Sequence, residues 1–409
     1  MDKKHIFIAI QYLEIGGAEI SLIGLLQAMD YTKYDVDLFA YSHRGELMQY
    51  IPQEVNLLPE ISRYAMLSRP MKQVAKSGHL DIVLSRLLAK RKGRRFAKRH
   101  REGENIAVFQ YIADYTTPLL PRINPDEEYD LAISFLIPHN IVRDKVRAKQ
   151  KWAWIHTDYS FVNVDVKDEL PVWDSYDKIV SISDDVTRSF LTKFPTLTNK
   201  ITVIHNILSP AFVRLRADEM SPEEVAQEMP REEGVINLLS VGRFCHAKNY
   251  DNVPDICRRI NSTLSTTNSK LKVRWYLIGY GGDEGLIRQR ISEAGMEKDV
   301  IILGKKSNPY PYMKACNIYV QPSRYEGNSV TVREAQMLCK PVVVTNYATA
   351  PSQVQDGKDG IIVPIENGQC ALEIADFIEN VNSQASIRSF LSDHDFGNET
   401  EIHKIDAYV

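Results

Sequence analysis

Asn317-Ile318-Tyr319-Val320-Gln321-Pro322-Ser323-Arg324-Tyr325-Glu326-Gly327-Asn328-Ser329-Val330-Thr331-Val332-Arg333-Glu334-Ala335 reads as strand, turn and helix. Its β-branched start is closed by Pro322, Gly327 sits in the turn, and helical spacing runs from Val330 to Leu338 before Lys340-Pro341. Such a connection opens a helix N-terminus, where Asn328, Ser329 and Val330 offer free N–H groups and a favourable dipole to an anion such as phosphate. Glu326 before the turn and Glu334 inside the helix are poor partners for a phosphate and good acceptors for hydroxyl groups. A phosphate seat flanked by hydroxyl acceptors describes a nucleotide-sugar site.

The same alternation extends outward in both directions. After it come a strand over 341–345 and a last one over 360–364; before it come strands over 235–241, 271–278 and 300–304. Arg243 and Lys248 lie in the loop after the first of these, and together they would neutralise a diphosphate. Gly279-Tyr280-Gly281-Gly282 invites a dinucleotide reading, but the strand over 300–303 ends in Gly304-Lys305-Lys306 without the acidic ribose partner, which excludes a Rossmann oxidoreductase. In the first half, strand candidates at 5–10, 36–40, 130–135, 152–156, 178–181 and 201–205 alternate with helical segments. Near-continuous apolar strands with helices between them imply parallel, doubly wound sheets with ligands beyond the strands' carboxyl ends. Gly16-Gly17 follows the first strand, either a plain tight turn or a close approach of backbone to a ligand, and His156 ends the strand over 152–156.

Glu326 followed by seven residues and Glu334, in a Ser-Arg-Tyr-Glu-Gly context, resembles the E-x7-E motif of family 4 retaining glycosyltransferases with the GT-B fold. Gly16-Gly17-Ala18-Glu19, His156, and Gly242-Arg243 with Lys248-Asn249 match that family's further motifs in order. The resemblance implies an α/β protein of two Rossmann-like doubly wound domains facing a cleft. It implies an acceptor-side domain over 1–206 with a basic insertion near 62–105, a connection over 207–234, a nucleotide-sugar domain over 235–385, and a tail over 386–409 that crosses back to the first domain. Implied roles are diphosphate contact for Gly16, Gly17, Arg243 and Lys248, a turn near the nucleotide at Gly279, backbone contact to the base around Lys305, ribose hydroxyls for Glu334, and donor-sugar hydroxyls for His156 and Glu326. The catalytic set is then His156, Arg243, Lys248 and Glu326, without cofactor or metal, and no Asp-x-Asp at a strand end argues for one. Implied too are a UDP-sugar donor, a glycan or lipid-linked acceptor, and a place in bacterial surface polysaccharide synthesis. A GT-B nucleotide-sugar epimerase and a non-catalytic partner subunit are the rival readings.

The 409 residues suffice for two ordinary domains, and 44% hydrophobic with 25% charged residues is a globular composition. A net charge of −3 gives no bias toward nucleic acid, and no apolar run is long enough to span a bilayer. Five widely spaced cysteines without a CxxC point to reduced thiols and a cytoplasmic setting. One stretch departs from the rest. Residues 80–101 hold nine Lys and Arg, from Arg86 to Arg101, with Ile82, Leu84, Leu87 and Leu88 interleaved. A basic amphipathic segment suits an anionic membrane surface, with Met66, Leu67 and Met71 deepening the contact, or a solvated helix, or a polyanionic acceptor.

Overall fold

A computed structural model describes residues 3–407 apart from 15, 101–103, 158, 161, 268–269 and 327–328. The chain divides into two units, one of residues 1–207 with 398–409 and one of residues 208–397.

The first unit is built on a seven-stranded sheet in the order Asn56–Leu57, Tyr34–Ala40, Lys4–Ile10, Tyr129–Ser134, Ala148–Ile155, Lys178–Ser181, Ile201–Val203. Every pairing is parallel. Because helices cover both faces, the central strand has no polar side: Ile6, Phe7, Ile8 and Ala9 are all fully buried. Strand order reverses between Lys4–Ile10 and Tyr129–Ser134, which places the switch point of this sheet at the loop carrying Gly16 and Gly17.

The basic insertion forms three helices, Ser62–Ala65, Met71–Lys76 and Leu80–Arg99. Ile82, Ala89 and Gly93 of the long helix face inward, and a Cβ on Gly93 would lie 3.0 Å from Val108 of the neighbouring helix Ala107–Thr116. Met66 is 2% exposed and packs with Val74 and Ile82, so it belongs to the core of this insertion and presents nothing outward, contrary to the sequence expectation.

The second unit carries a six-stranded parallel sheet in the order Val300–Gly304, Lys272–Ile278, Val235–Val241, Ile318–Gln321, Val342–Thr345, Ile361–Val363. The segment 207–234, read from sequence as an exposed connection, instead contains helices Pro210–Ala217 and Pro222–Ala226. Val213, Ala217, Val225 and Met229 are buried in the second unit's core. Part of its Pro and Glu content is helix-start signal: Ser209 and Ser221 cap the two helices, Pro210 and Pro222 take the first helical positions, and Glu224 completes a capping box.

The end of the chain is divided between the two units. Helix Asn367–Glu379 is followed by helix Val381–Asp393, whose Ile387 and Leu391 join the second unit's core. Residues 398–409 then belong to the first unit, where Ile402 and Ile405 are buried. Tyr34 donates to Asp406 at 2.7 Å, Lys404 Nζ to the Val203 carbonyl at 3.1 Å, and the His205 N–H to Glu401 at 2.9 Å. All five cysteines are free, three of them buried. Among the described residues no helix is long and apolar enough to cross a membrane.

Candidate functional site

In the second unit, strand order reverses between Val235–Val241 and Ile318–Gln321. The loops leaving these two strands carry Arg243 and Lys248 on one side and Glu326 on the other, so the topology brings the sequence-predicted residues to one edge of the sheet. Lys248 Nζ donates to Glu326 Oε1 at 2.6 Å, with the two side chains 19% and 11% exposed. The same oxygen accepts from Gln321 Nε2 at 2.7 Å and Ser323 Oγ at 2.5 Å. Three donors on one oxygen, one of them a lysine, hold the Glu326 side chain in a fixed orientation.

Arg324 fixes the turn from the other side. Its guanidinium pairs with both carboxylate oxygens of Asp251, at 2.9 and 2.7 Å, and donates to the His246 carbonyl at 2.6 Å. Its own N–H bonds the Ala247 carbonyl at 2.8 Å. The loop 242–249 is in turn zipped to the glycine turn after Lys272–Ile278: the Phe244 N–H donates to the Tyr280 carbonyl at 2.8 Å and the Asp283 N–H to the Phe244 carbonyl at 3.1 Å. A Cβ on Gly279 would stand 1.9 Å from the Gly242 carbonyl oxygen, and one on Gly281 2.2 Å from that of Phe244. Those glycines permit the approach of two backbones; Gly279 positions the loop that carries Arg243. Arg243 is exposed, and among the described residues it makes no ion pair.

Helix Val330–Met337 begins at Ser329, which is 3% exposed and places no side-chain cap on the helix. The N–H groups of Ser329 and Val330 therefore have no side-chain cap among the described residues. Asn328 lies outside the described residues. Side chains on a helix lean toward its N-terminus, which returns Glu334 toward that opening. Glu334 is 3% exposed, and Oε1 accepts from Tyr310 Oη at 2.6 Å. Burial pushes its carboxyl up to about 7, against the pull of the Tyr310 bond and the Arg216 charge. Lys305 lies over the Tyr280 ring, 5.3 Å from its centroid, and Lys306 is committed to Glu228 at 2.7 Å.

In the first unit, Gly17 opens helix Gly17–Ala28, and a Cβ there would meet nothing within 4 Å. At Gly16 a Cβ would lie 2.2 Å from Glu19 Oε2, so that carboxylate is folded back over the helix start. His156 follows strand Ala148–Ile155 and packs on Phe135 with ring centroids 4.7 Å apart. Burial lowers its pKa to about 3, which keeps the ring neutral, and Nε2 has no partner among the described residues. Sequence reasoning passed over Tyr310, Gln321, Ser323 and Arg324. The last three carried a signal, being polar residues at the carboxyl end of an apolar strand; Tyr310 carried none.

Residues 222–390 match the family model for glycosyl transferases group 1. An uncharacterized 41.2 kDa protein in the cps region of Klebsiella pneumoniae is 28% identical over 182 residues, 44% of this chain and 45% of that one. The Staphylococcus aureus capsular polysaccharide biosynthesis glycosyltransferase CapM is 27% identical over 213 residues, 51% of this chain and 53% of its own. This chain thus aligns with about half the length of these relatives. Among solved structures, Anabaena HepE in complex with UDP and glucose superposes with a TM-score of 0.62 at 17% identity, covering 99% of this chain and 98% of that one. A mutant of S. aureus TarM in complex with fondaparinux, α-GlcNAc-glycerol and UDP does so with a TM-score of 0.64 at 14% identity, covering 99% of both chains. At these identities the likeness establishes the fold: a two-domain α/β chain of GT-B type, with the group 1 signature over 222–390.

Proposed function

We propose that the protein transfers a sugar from a nucleotide-sugar, a UDP-sugar, to a hydroxyl of a glycan or lipid-linked glycan, with retention at the anomeric carbon and no metal. One observation carries the reading: the Lys248–Glu326 pair stands at the carboxyl ends of the second sheet's central strands, just before an uncapped helix N-terminus. A cation and free N–H groups suit a diphosphate, and a fixed carboxylate beside them suits a sugar hydroxyl. The names of CapM and the UDP held by HepE support polysaccharide synthesis and uridine.

The difficult event is cleavage of the bond from the anomeric carbon to the diphosphate, which leaves charge on phosphate oxygen. Arg243, Lys248 and the N–H groups at Ser329 and Val330 stabilise that charge without reorganising. Lys248 keeps one N–H on Glu326 and has two more for phosphate. Glu326 Oε1 is occupied by three donors, so the side chain is held to orient the sugar, and this reading gives it no nucleophilic step. The acceptor oxygen bonds the anomeric carbon from the face that the phosphate leaves, and its proton passes to that phosphate. Glu334 receives the ribose hydroxyls. The first unit, taken by itself, offers a neutral His156 ring to a hydroxyl and the backbone N–H groups of Gly16-Gly17 to an anion. The setting is the cytoplasm.

UDP, GDP and ADP are compared for stabilisation of wild type and Arg243→Ala. Uridine diphosphate at a hundredfold excess over its Kd adds about 2.7 kcal/mol to wild-type stability, and the variant loses most of it. No stabilisation by any nucleotide overturns the reading, and activity that survives EDTA is expected.

A further inference from the structure

The helix Leu80–Arg99 has two apolar stripes, and only one is used. Ile82, Ala89 and Gly93 face the protein, while Leu80, Leu84, Leu87 and Leu88 are 65%, 59%, 50% and 45% exposed. Spacings of four, seven and eight residues put those four leucines on one outer face, opposite the buried stripe. Among the described residues no other helix exposes more than two large apolar side chains. Scattered exposed leucines need no explanation; four in register on one helix do.

The same face continues as charge. Arg91, Arg94, Arg95 and Lys98 occupy it over the following turns, all exposed. Of the helix's other basic residues, Lys92 is paired with Asp168 and Arg86 donates to the carbonyls of Met66 and Arg69 at 3.1 and 2.7 Å. The helix's single carboxylate, Asp81, is taken by Arg63. Among the described residues the outer cations have no carboxylate partner. Twenty residues span about 30 Å, so one rigid face presents leucines along one half and uncompensated positive charge along the other.

We propose that this face lies on an anionic lipid bilayer, with the leucines entering the acyl boundary and the cations meeting headgroup phosphates. A soluble polyanion would engage the cations and leave the leucines in water, whereas a bilayer engages both halves at once. The proposal goes beyond the transferase reading and does not depend on it.

Flotation with vesicles of phosphatidylglycerol and phosphatidylethanolamine, against vesicles of phosphatidylcholine alone, tests it on the full chain. Wild type floats with the anionic vesicles, less at high salt, and stays behind with the zwitterionic ones. Removing two cations in Arg91→Gln/Arg95→Gln weakens partitioning roughly 30-fold, at about 1 kcal/mol per cation. Leu84→Gln/Leu87→Gln weakens it about tenfold or more. All four positions are exposed, so thermal unfolding of both variants matches wild type, and UDP binding without vesicles reports the second unit separately. Wild type that fails to float overturns the proposal. So does a leucine variant that floats as well as wild type, which marks the face as a polyanion site.

Discussion

Lys248 and Glu326 hold each other in place, Nζ on Oε1 at 2.6 Å. Replacing Lys248 by Met removes a diphosphate cation and leaves Glu326 with only neutral donors, Gln321 and Ser323. Sugar transfer from a UDP-sugar, followed by UDP release, is expected to fall about 10²–10³-fold. Glu326→Gln keeps the shape and loses the charge pair, and a variant as active as wild type would remove the pair from the mechanism. Glu334 yields a prediction about pH. Its folded-state carboxyl is raised by burial from 4.5 to about 7. The native state therefore holds that proton more tightly than the unfolded chain, so this contribution is whole below 4.5 and lost as pH rises through 7. Urea unfolding of wild type against Glu334→Gln should show wild type losing ground between pH 5 and 8, by at most about 3 kcal/mol at 1.4 kcal/mol per pH unit; parallel profiles would show that Glu334 does not titrate there. Both carboxylates were legible in the sequence because the strand-turn-helix spacing set them beside one opening. Tyr310, which meets Glu334, was not, since it arrives from another helix and no local pattern announces a tertiary partner.

Loops here are held by other loops, and glycine decides how closely. Gly279→Ala forces a methyl group into the Gly242 carbonyl and displaces the strand end that leads to Arg243. A loss of about 1–3 kcal/mol in urea unfolding is expected, together with weaker UDP binding. An unchanged midpoint would mean that the two backbones can separate freely. The glycine cluster was visible in the sequence but its purpose was ambiguous, because a phosphate and a neighbouring carbonyl place the same demand on a missing Cβ. The segment 207–234 shows the converse case. Ser-Pro with following glutamates is compatible with loop and helix start alike, and burial of Val213 and Val225 decides between them.

The fold class followed from apolar strands alternating with helices, but the position at which the chain returns to the first unit did not. Residues 398–409 complete the first unit by burying Ile402 and Ile405, a long-range contact with no sequence period. Two isoleucines at about 1.5–3 kcal/mol each are a large part of a domain's stability. A chain ending at 397 should therefore unfold its first unit at markedly lower urea while the second unit's transition stays in place, as followed by limited proteolysis. Equal loss in both units would mean that they unfold as one. The discontinuity also orders events during synthesis. The second unit is one uninterrupted segment and can close as soon as it leaves the ribosome, whereas the first unit, though translated first, reaches its full stability only once residues 398–409 are made. A nascent chain stalled before position 398 carries an unfinished sheet protein, and that interval is when chaperones would find it.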